Sequence, residues 1–374
     1  MKTSEHEAIK KYNEGLWILL PVLCLLFISG LMVYSCSAPN IDTVMRSPYH
    51  YFFRQSLYAL LGMSALIICW FVPYRIWGKL AYPILFFSFF LLAMVFSPMG
   101  IATKAGVARW IKIGSFTFQP VEFAKFALVL YLAYSLAKKR EQVLEFGIGV
   151  VPHILVLIIF AGFLMAQPDF GSVVIFTLIV WILMFFAEVP MRSLLLPVPI
   201  IAGIMAWFVY SMPYRMNRII GFLHPIDTAS NEGFQLTRSL IAMGTGGVFG
   251  LGPGNGHMKM SYLPEAHTDF IFSIIGEELG LCGVYLVLIL FIILFFMGMK
   301  IAMTAPDRFG TYLAAGITIS LGIQVIINTG VSLGLMPTKG LALPFLSYGG
   351  SALVMNLALM GILMNIESSR SKKR

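Results

Sequence analysis

Charge is what this 374-residue chain has least of. Asp, Glu, Lys and Arg make up 11% of it, where soluble domains run to about a quarter. That scarcity argues against an ordinary water-soluble domain. Cysteine is also sparse: Cys24, Cys36, Cys69 and Cys282 lie far apart, in or beside apolar runs. Their spacing gives neither a disulfide framework nor a thiolate metal site and leaves them as small packing residues. His50, His153 and His224 are scattered and form no zinc spacing with Cys or Asp. No nucleophile elbow or Ser-His-Asp order is present. No glycine fingerprint stands between a strand and a helix, which argues against dinucleotide binding. Met1 to Gly15 is polar, and the apolar run after it is too long for a signal-peptide core and has no cleavage site, so no cleavable signal is expected.

What is abundant is hydrocarbon. The chain is 59% hydrophobic, in continuous runs without period-two alternation, which predicts helices rather than a barrel. Ten runs are expected to span a membrane, with cores near 16–34, 56–72, 80–96, 121–137, 147–165, 172–186, 194–210, 271–297, 312–333 and 345–366. The fold class is therefore an all-α integral membrane protein, residues 16–366, between a tail at 1–15 and a basic tail at 367–374. With the N-terminus inside, the inner segments hold more Lys and Arg than the outer ones, so both termini are expected to be cytoplasmic. The net charge of +9 is read as this topology signal, and no nucleic-acid partner is expected. A long outer loop, 211–270, separates the seventh and eighth spans, and 234–243 within it predicts an ordered interfacial helix.

Ionisable residues that survive in such a chain are candidate functional groups. Tyr262-Leu-Pro-Glu-Ala-His-Thr-Asp-Phe gathers Glu265, His267 and Asp269 at the mouth of the eighth span, with Glu277 and Glu278 further along it. Asp269, half-shielded by apolar neighbours, suits a general base; Thr268 or Asp269 equally suits a helix N-cap. Glu122 and Lys125 share one face of the fourth span at i, i+3, as structural glue or as a cation for a head group. Asp169 lies in a short Gln-Pro-Asp-Phe-Gly turn, where turn chemistry explains it, and it is also placed to hold Lys125 or a metal ion. The glycine-dense run 244–256 is either a tight turn or a nest of amides for phosphate. Pro and Gly across 337–351 predict a broken segment, tolerated only where it is buried in protein or lines a cavity. Arg109, Arg215, Arg218 and Lys339 are placed to surround a pyrophosphate.

Six blocks together resemble the SEDS family (shape, elongation, division and sporulation) of bacterial cell-wall proteins. They are Ala108-Arg-Trp-Ile-Lys-Ile-Gly, Gln119-Pro-Val-Glu-Phe-Ala-Lys, Gln167-Pro-Asp-Phe-Gly, Tyr214-Arg-Met-Asn-Arg-Ile, Tyr262-Leu-Pro-Glu-Ala-His-Thr-Asp-Phe-Ile-Phe and Leu346-Ser-Tyr-Gly-Gly-Ser. Leu-Pro-Glu-Ala-His-Thr-Asp and Gly-Leu-Met-Pro-Thr-Lys-Gly-Leu-Ala-Leu-Pro look more like the division members than the elongation members.

The resemblance implies a ten-helix fold, peptidoglycan glycosyltransferase activity on lipid II, and a class B penicillin-binding transpeptidase as partner, alongside other division proteins. It implies that Asp269 is essential for polymerisation, and it maps family positions onto Glu122, Lys125 and Asp169. Glu265, His267 and Ser347 stand beside these as supporting residues. A divalent cation, Mg or Mn, is a candidate for the leaving diphosphate. The competing readings are a lipid II flippase, an elongation-type polymerase and a non-catalytic scaffold; Glu277 and Glu278 are expected to be packing or polar-cavity groups.

Overall fold

The computed structural model of the chain describes residues 17–37, 49–102, 108–114, 116–231, 233–260 and 262–370; the tail at 1–15 and the last residues, 371–374, lie outside them. Its first half runs α1 (Leu19–Ser37), α2 (His50–Phe71), α3 (Tyr74–Lys79), α4 (Ala81–Met94), three short strands, then α5 (Pro120–Lys139) and a 3-10 turn, Arg140–Leu144. It continues through α6 (Phe146–Gly149), α7 (Val151–Ala166), α8 (Phe170–Phe186), α9 (Met191–Leu195), α10 (Val198–Tyr210), α11 (Pro213–Leu223) and α12 (Phe234–Thr245). The last three are α13 (Ile271–Thr304), α14 (Arg308–Ser332) and α15 (Gly350–Arg370).

Helix stands at every one of the ten predicted runs. Among the described residues, eight helical segments are long and apolar enough to cross a membrane; α4 and α8, at 14 and 17 residues, are shorter. The protein is a multi-pass membrane protein. The reason is visible in the burial: apolar faces of α2, α4, α7 and α10 stay exposed, as helices in contact with lipid must be. Helix α5, by contrast, is buried along most of its length. It packs between α4 and α14, while α15 lies along α2 and α14 along α13.

One departure from an all-α fold is a three-stranded antiparallel sheet, β1 (Gly100–Ala102), β2 (Ala108–Ile113) and β3 (Phe116–Phe118), in the order β1-β2-β3. Its β-branched, alternating Arg-Trp-Ile-Lys-Ile is strand-like, but it is too short to register beside runs of span length. A second departure is in the long loop: besides the predicted helix, now α12, it holds α11, whose start is set by Pro213 in the first turn.

Helix α13 is two helices. Gly280 has φ 64°, ψ −164°, a left-handed conformation that glycine alone adopts without strain. Across this break the backbone bonds go sideways. Leu281 and Cys282 donate to the carbonyls of Gly247 and Val248, at 3.0 and 3.1 Å, and Leu251 and Gly252 donate to those of Glu277 and Glu278, both at 3.0 Å. The glycine-dense run is therefore the partner strand of a broken helix. Its amides also take the Glu277 and Glu278 carboxylates: Gly254 N–H donates to Glu278 Oε2 at 2.9 Å, and His257 N–H to Glu277 Oε1 at 2.7 Å. The phosphate-nest reading is corrected by this, since carboxylates of the chain itself occupy those donors. Lys259 Nζ, 2.6 Å from Glu278 Oε1, and Ser35 Oγ complete the knot. Glu277 and Glu278 so acquire a role: they hold the chain that leads into residues 262–269.

Candidate active site

Two loops meet at one end of the bundle. Residues 262–270 enter α13, and residues 333–349 enter α15. They are laced together: Tyr348 N–H donates to His267 O at 2.9 Å, Ser347 Oγ donates to Thr268 O, and Ser347 Oγ accepts from Leu343 N–H at 2.7 Å. Asn328, on α14, donates from Nδ2 to the carbonyls of both Asp269 and Leu341. Ser29 and Gln55 tie the same loop to α1 and α2 through Leu346 O and Ser347 O. Of the broken segment foreseen at 337–351, the part from Leu341 to Ser347 is largely buried in protein, while Pro337 and Gly340 stay exposed.

Asp269 does not cap α13. Phe270 occupies that position and no side chain accepts from the first turn. The amides of Thr268, Asp269 and Phe270 all turn back to Glu265 O, at 3.2, 3.0 and 3.3 Å, with Glu265 itself left-handed at φ 55°. That frees the Asp269 carboxyl. It lies against Gly340, where a Cβ would stand 2.7 Å from Oδ2. Burial, and then the negative charge of Glu265, push its pKa up to about 7, against the opposing pull of Arg218, Lys339 and Arg109. A half-ionised carboxyl near neutrality is what a general base needs. His267 sits between the rings of Tyr51 and Tyr348, at 5.1 and 5.7 Å, where burial lowers its proton affinity.

The basic residues converge from separate elements. Arg109, on β2, donates to the carbonyls of Gln167 and Pro168, at 3.1 and 2.6 Å, and so holds the turn that carries Asp169. Arg218, on α11, donates to Thr338 O at 3.1 Å. Arg215 lies over the rings of Phe170 and Phe208. Lys125 pairs with Glu122 at 2.8 Å and donates to Gln324 at 2.7 Å, the i, i+3 pairing read from the sequence. Asp169 caps α8, accepting from Ser172 N–H and Oγ; it does not hold Lys125, and its charge acts instead on Lys339. Asn328, Ser29 and Gln55 had no signal in the sequence, because each acts through a carbonyl supplied by a distant residue.

Residues 16–372 match the family described as FtsW/RodA/SpoVE cell cycle proteins. The chain belongs to that family. Over 365 residues, 97% of this chain and 96% of its relative, it is 42% identical to a probable peptidoglycan glycosyltransferase FtsW of Geobacter metallireducens. It is 40% identical to the stage V sporulation protein E of Bacillus subtilis, over 96% of this chain and 98% of that one. A solved chain of a peptidoglycan synthase complex that coordinates polymerization and crosslinking has the same fold at 28% identity, TM-score 0.78, covering 94% of this chain and 97% of the other. RodA of Thermus thermophilus follows at 27% identity and TM-score 0.68, over 95% and 97%.

Among the described residues no three His, Cys, Asp or Glu side chains converge to hold a metal ion.

Proposed function

We propose that this chain is a peptidoglycan glycosyltransferase that polymerises lipid II, with Asp269 as its base, in septal wall synthesis as its FtsW-like relatives suggest. The observation that carries the reading is the Asp269 carboxyl: uncapped, tuned to about 7 and surrounded by cations brought from β2, α11 and the loop before α15. The acceptor's sugar hydroxyl attacks the anomeric carbon of the growing strand. Its proton passes to Asp269, the new C–O bond forms, and the old one breaks with its electron pair on the undecaprenyl diphosphate. Displacement with inversion needs one base and charge stabilisation of the leaving group, not a second carboxylate nucleophile. Glu265 and His267 set and orient the base, and Ser347 fixes the loop behind it. A divalent cation, Mg or Mn, is the candidate to share the charge of the leaving diphosphate.

We further infer ten spans, both termini cytoplasmic, and the site end outside the bacterial inner membrane. Seventeen residues, the length of α8, meet the lower bound for a span, and α3 and α4 run on from one another around Leu80. A cavity of about 490 Å³ between α13, α14 and α15, closed by Ile18 just before α1 and lined by Phe291, Phe295, Val325 and Met360, holds none of the site's ionisable residues and suits a hydrocarbon tail. The gathering of charge at one end, not midway along the helices, favours the enzyme over a flippase. A class B penicillin-binding transpeptidase is the partner, as the synthase-complex neighbour suggests.

The test uses the purified chain with its transpeptidase partner and labelled lipid II, with and without chelator. Glycan product in detergent from wild type and none from Asp269→Ala is expected. Equal rates would remove Asp269 from the mechanism; translocation without polymer would favour the flippase.

A further inference from the structure

Three of the basic side chains that converge on the site already have an occupation. Arg109 is spent on the Gln167 and Pro168 carbonyls, Arg218 on Thr338 O, and Lys125 on Glu122 and Gln324. Lys339 Nζ is buried and, among the described residues, has no hydrogen-bond partner. An ammonium brings three donors and no acceptor, and leaving it buried and unpaired is costly. Its stem is nevertheless fixed. It packs on Gly171 in the first turn of α8, where any Cβ would overlap its Cδ, Cε and Nζ. The next residue, Gly340, is the one that meets the Asp269 carboxyl. Consecutive loop residues so present an unused cation and the backing of the base.

We propose that Lys339 grips the diphosphate of the donor lipid, and that the site takes up one proton at Lys339 as the diphosphate enters. The inference rests on the glycosyltransferase reading and deepens it, by naming which cation takes the leaving group and what accompanies its binding. The groups facing Lys339 are Asp169 at the start of α8, Glu122 and Lys125 on α5, Arg109 on β2, and Asp269 before α13. Burial pushes the Lys339 pKa down to about 7; Asp169 and Glu122 pull it up, and Lys125 and Arg109 push it further down. Above that pH the empty site holds a neutral amine. An arriving diphosphate adds negative charge at hydrogen-bond reach, favours the ammonium and draws a proton from solvent onto Nζ. No other bond changes.

The test is calorimetric titration of the full-length protein in detergent, at pH 8, in two buffers of different ionisation enthalpy. The probes are undecaprenyl diphosphate, undecaprenyl monophosphate and inorganic pyrophosphate. Wild type is expected to take up close to one proton more per undecaprenyl diphosphate than Lys339→Met, which is expected to bind about tenfold or more weakly. Lys339→Arg, permanently charged, is expected to recover affinity without recovering the Lys339 proton, which a merely structural lysine would not do. The monophosphate is expected to bind more weakly than the diphosphate, and pyrophosphate to show whether the head group alone drives the uptake. Equal affinity and proton count in wild type and Lys339→Met overturn the proposal. Polymerisation of lipid II by wild type in the same preparation separates that outcome from failure of the glycosyltransferase reading, which would show as no product at all.

Discussion

The Asp269 carboxyl rests on the bare Cα of Gly340: a methyl group there would stand 2.7 Å from Oδ2. Gly340 is not among the glycines with positive φ, so alanine fits the backbone and disturbs only the carboxyl. Gly340→Ala is expected to lower kcat for lipid II polymerisation about tenfold to a hundredfold, the cost of misplacing a reacting group by about an ångström. Its melting temperature should stay near wild type. Unchanged kcat would mean that the carboxyl has room to move and that its present position is unimportant.

The pH profile follows from the sign of the shift. A base must be ionised to act, and the Asp269 pKa is raised to about 7 by burial and by Glu265. The rate under kcat/KM conditions should therefore rise with pH through about 7. Glu265→Gln removes a raising charge and should move that limb to lower pH. Arg218→Met removes a lowering charge and should move it up. A pair of limbs that move in the same direction would be incompatible with this electrostatic account.

The knot behind the motif makes a stability prediction. Lys259 and Glu278 are both almost fully buried and 2.6 Å apart. Removing one partner of such a pair leaves an uncompensated charge and costs about 3–5 kcal/mol. Lys259→Met alone should lower the unfolding temperature in detergent, and Glu278→Gln in the same chain should restore part of it, since the amide oxygen still accepts from Gly254 N–H. Additive losses in the double variant would show that the two residues do not act as a pair.

Asn328 fastens both loops through one amide group, to Asp269 O and Leu341 O. Asn328→Ala is expected to lose kcat about tenfold or more, with a smaller change in KM. A KM effect alone would place Asn328 in substrate binding rather than in positioning the base.

The ten apolar runs and the Glu122–Lys125 pair could be read in advance, because each depends on neighbours within a few residues. Hydropathy finds spans, and i, i+3 spacing finds a pair on one helix face. The features that escaped depend on residues far apart. Nothing near Gly280 announces that its helix breaks there, because the partners of the break are Gly247, Val248, Leu251 and Gly252. The glycine-dense run 244–256 offered a phosphate nest as one of two readings until Glu277 and Glu278 were brought against it. The short sheet was hidden by the dominance of longer runs. Lys339 looked like one basic residue among four; its distinction is a lack of partners, which no local pattern displays.

The break at Gly280 also sets a depth. Beyond it α13 continues for about 24 residues, or about 36 Å at 1.5 Å per residue, enough by itself to cross a hydrocarbon layer of about 30 Å. That stretch keeps an apolar flank bare, at Tyr285, Ile289, Ile292 and Phe296, whereas residues 270–278 are buried on every side. The short arm is thus wrapped by polypeptide, and the long arm alone keeps an apolar flank bare. Glu277, Glu278 and Lys259 then owe their dryness to protein and not to lipid, so their energetic cost is that of a soluble enzyme's interior. Changes around the bare flank of the long arm thus need not reach the knot of Glu277, Glu278 and Lys259.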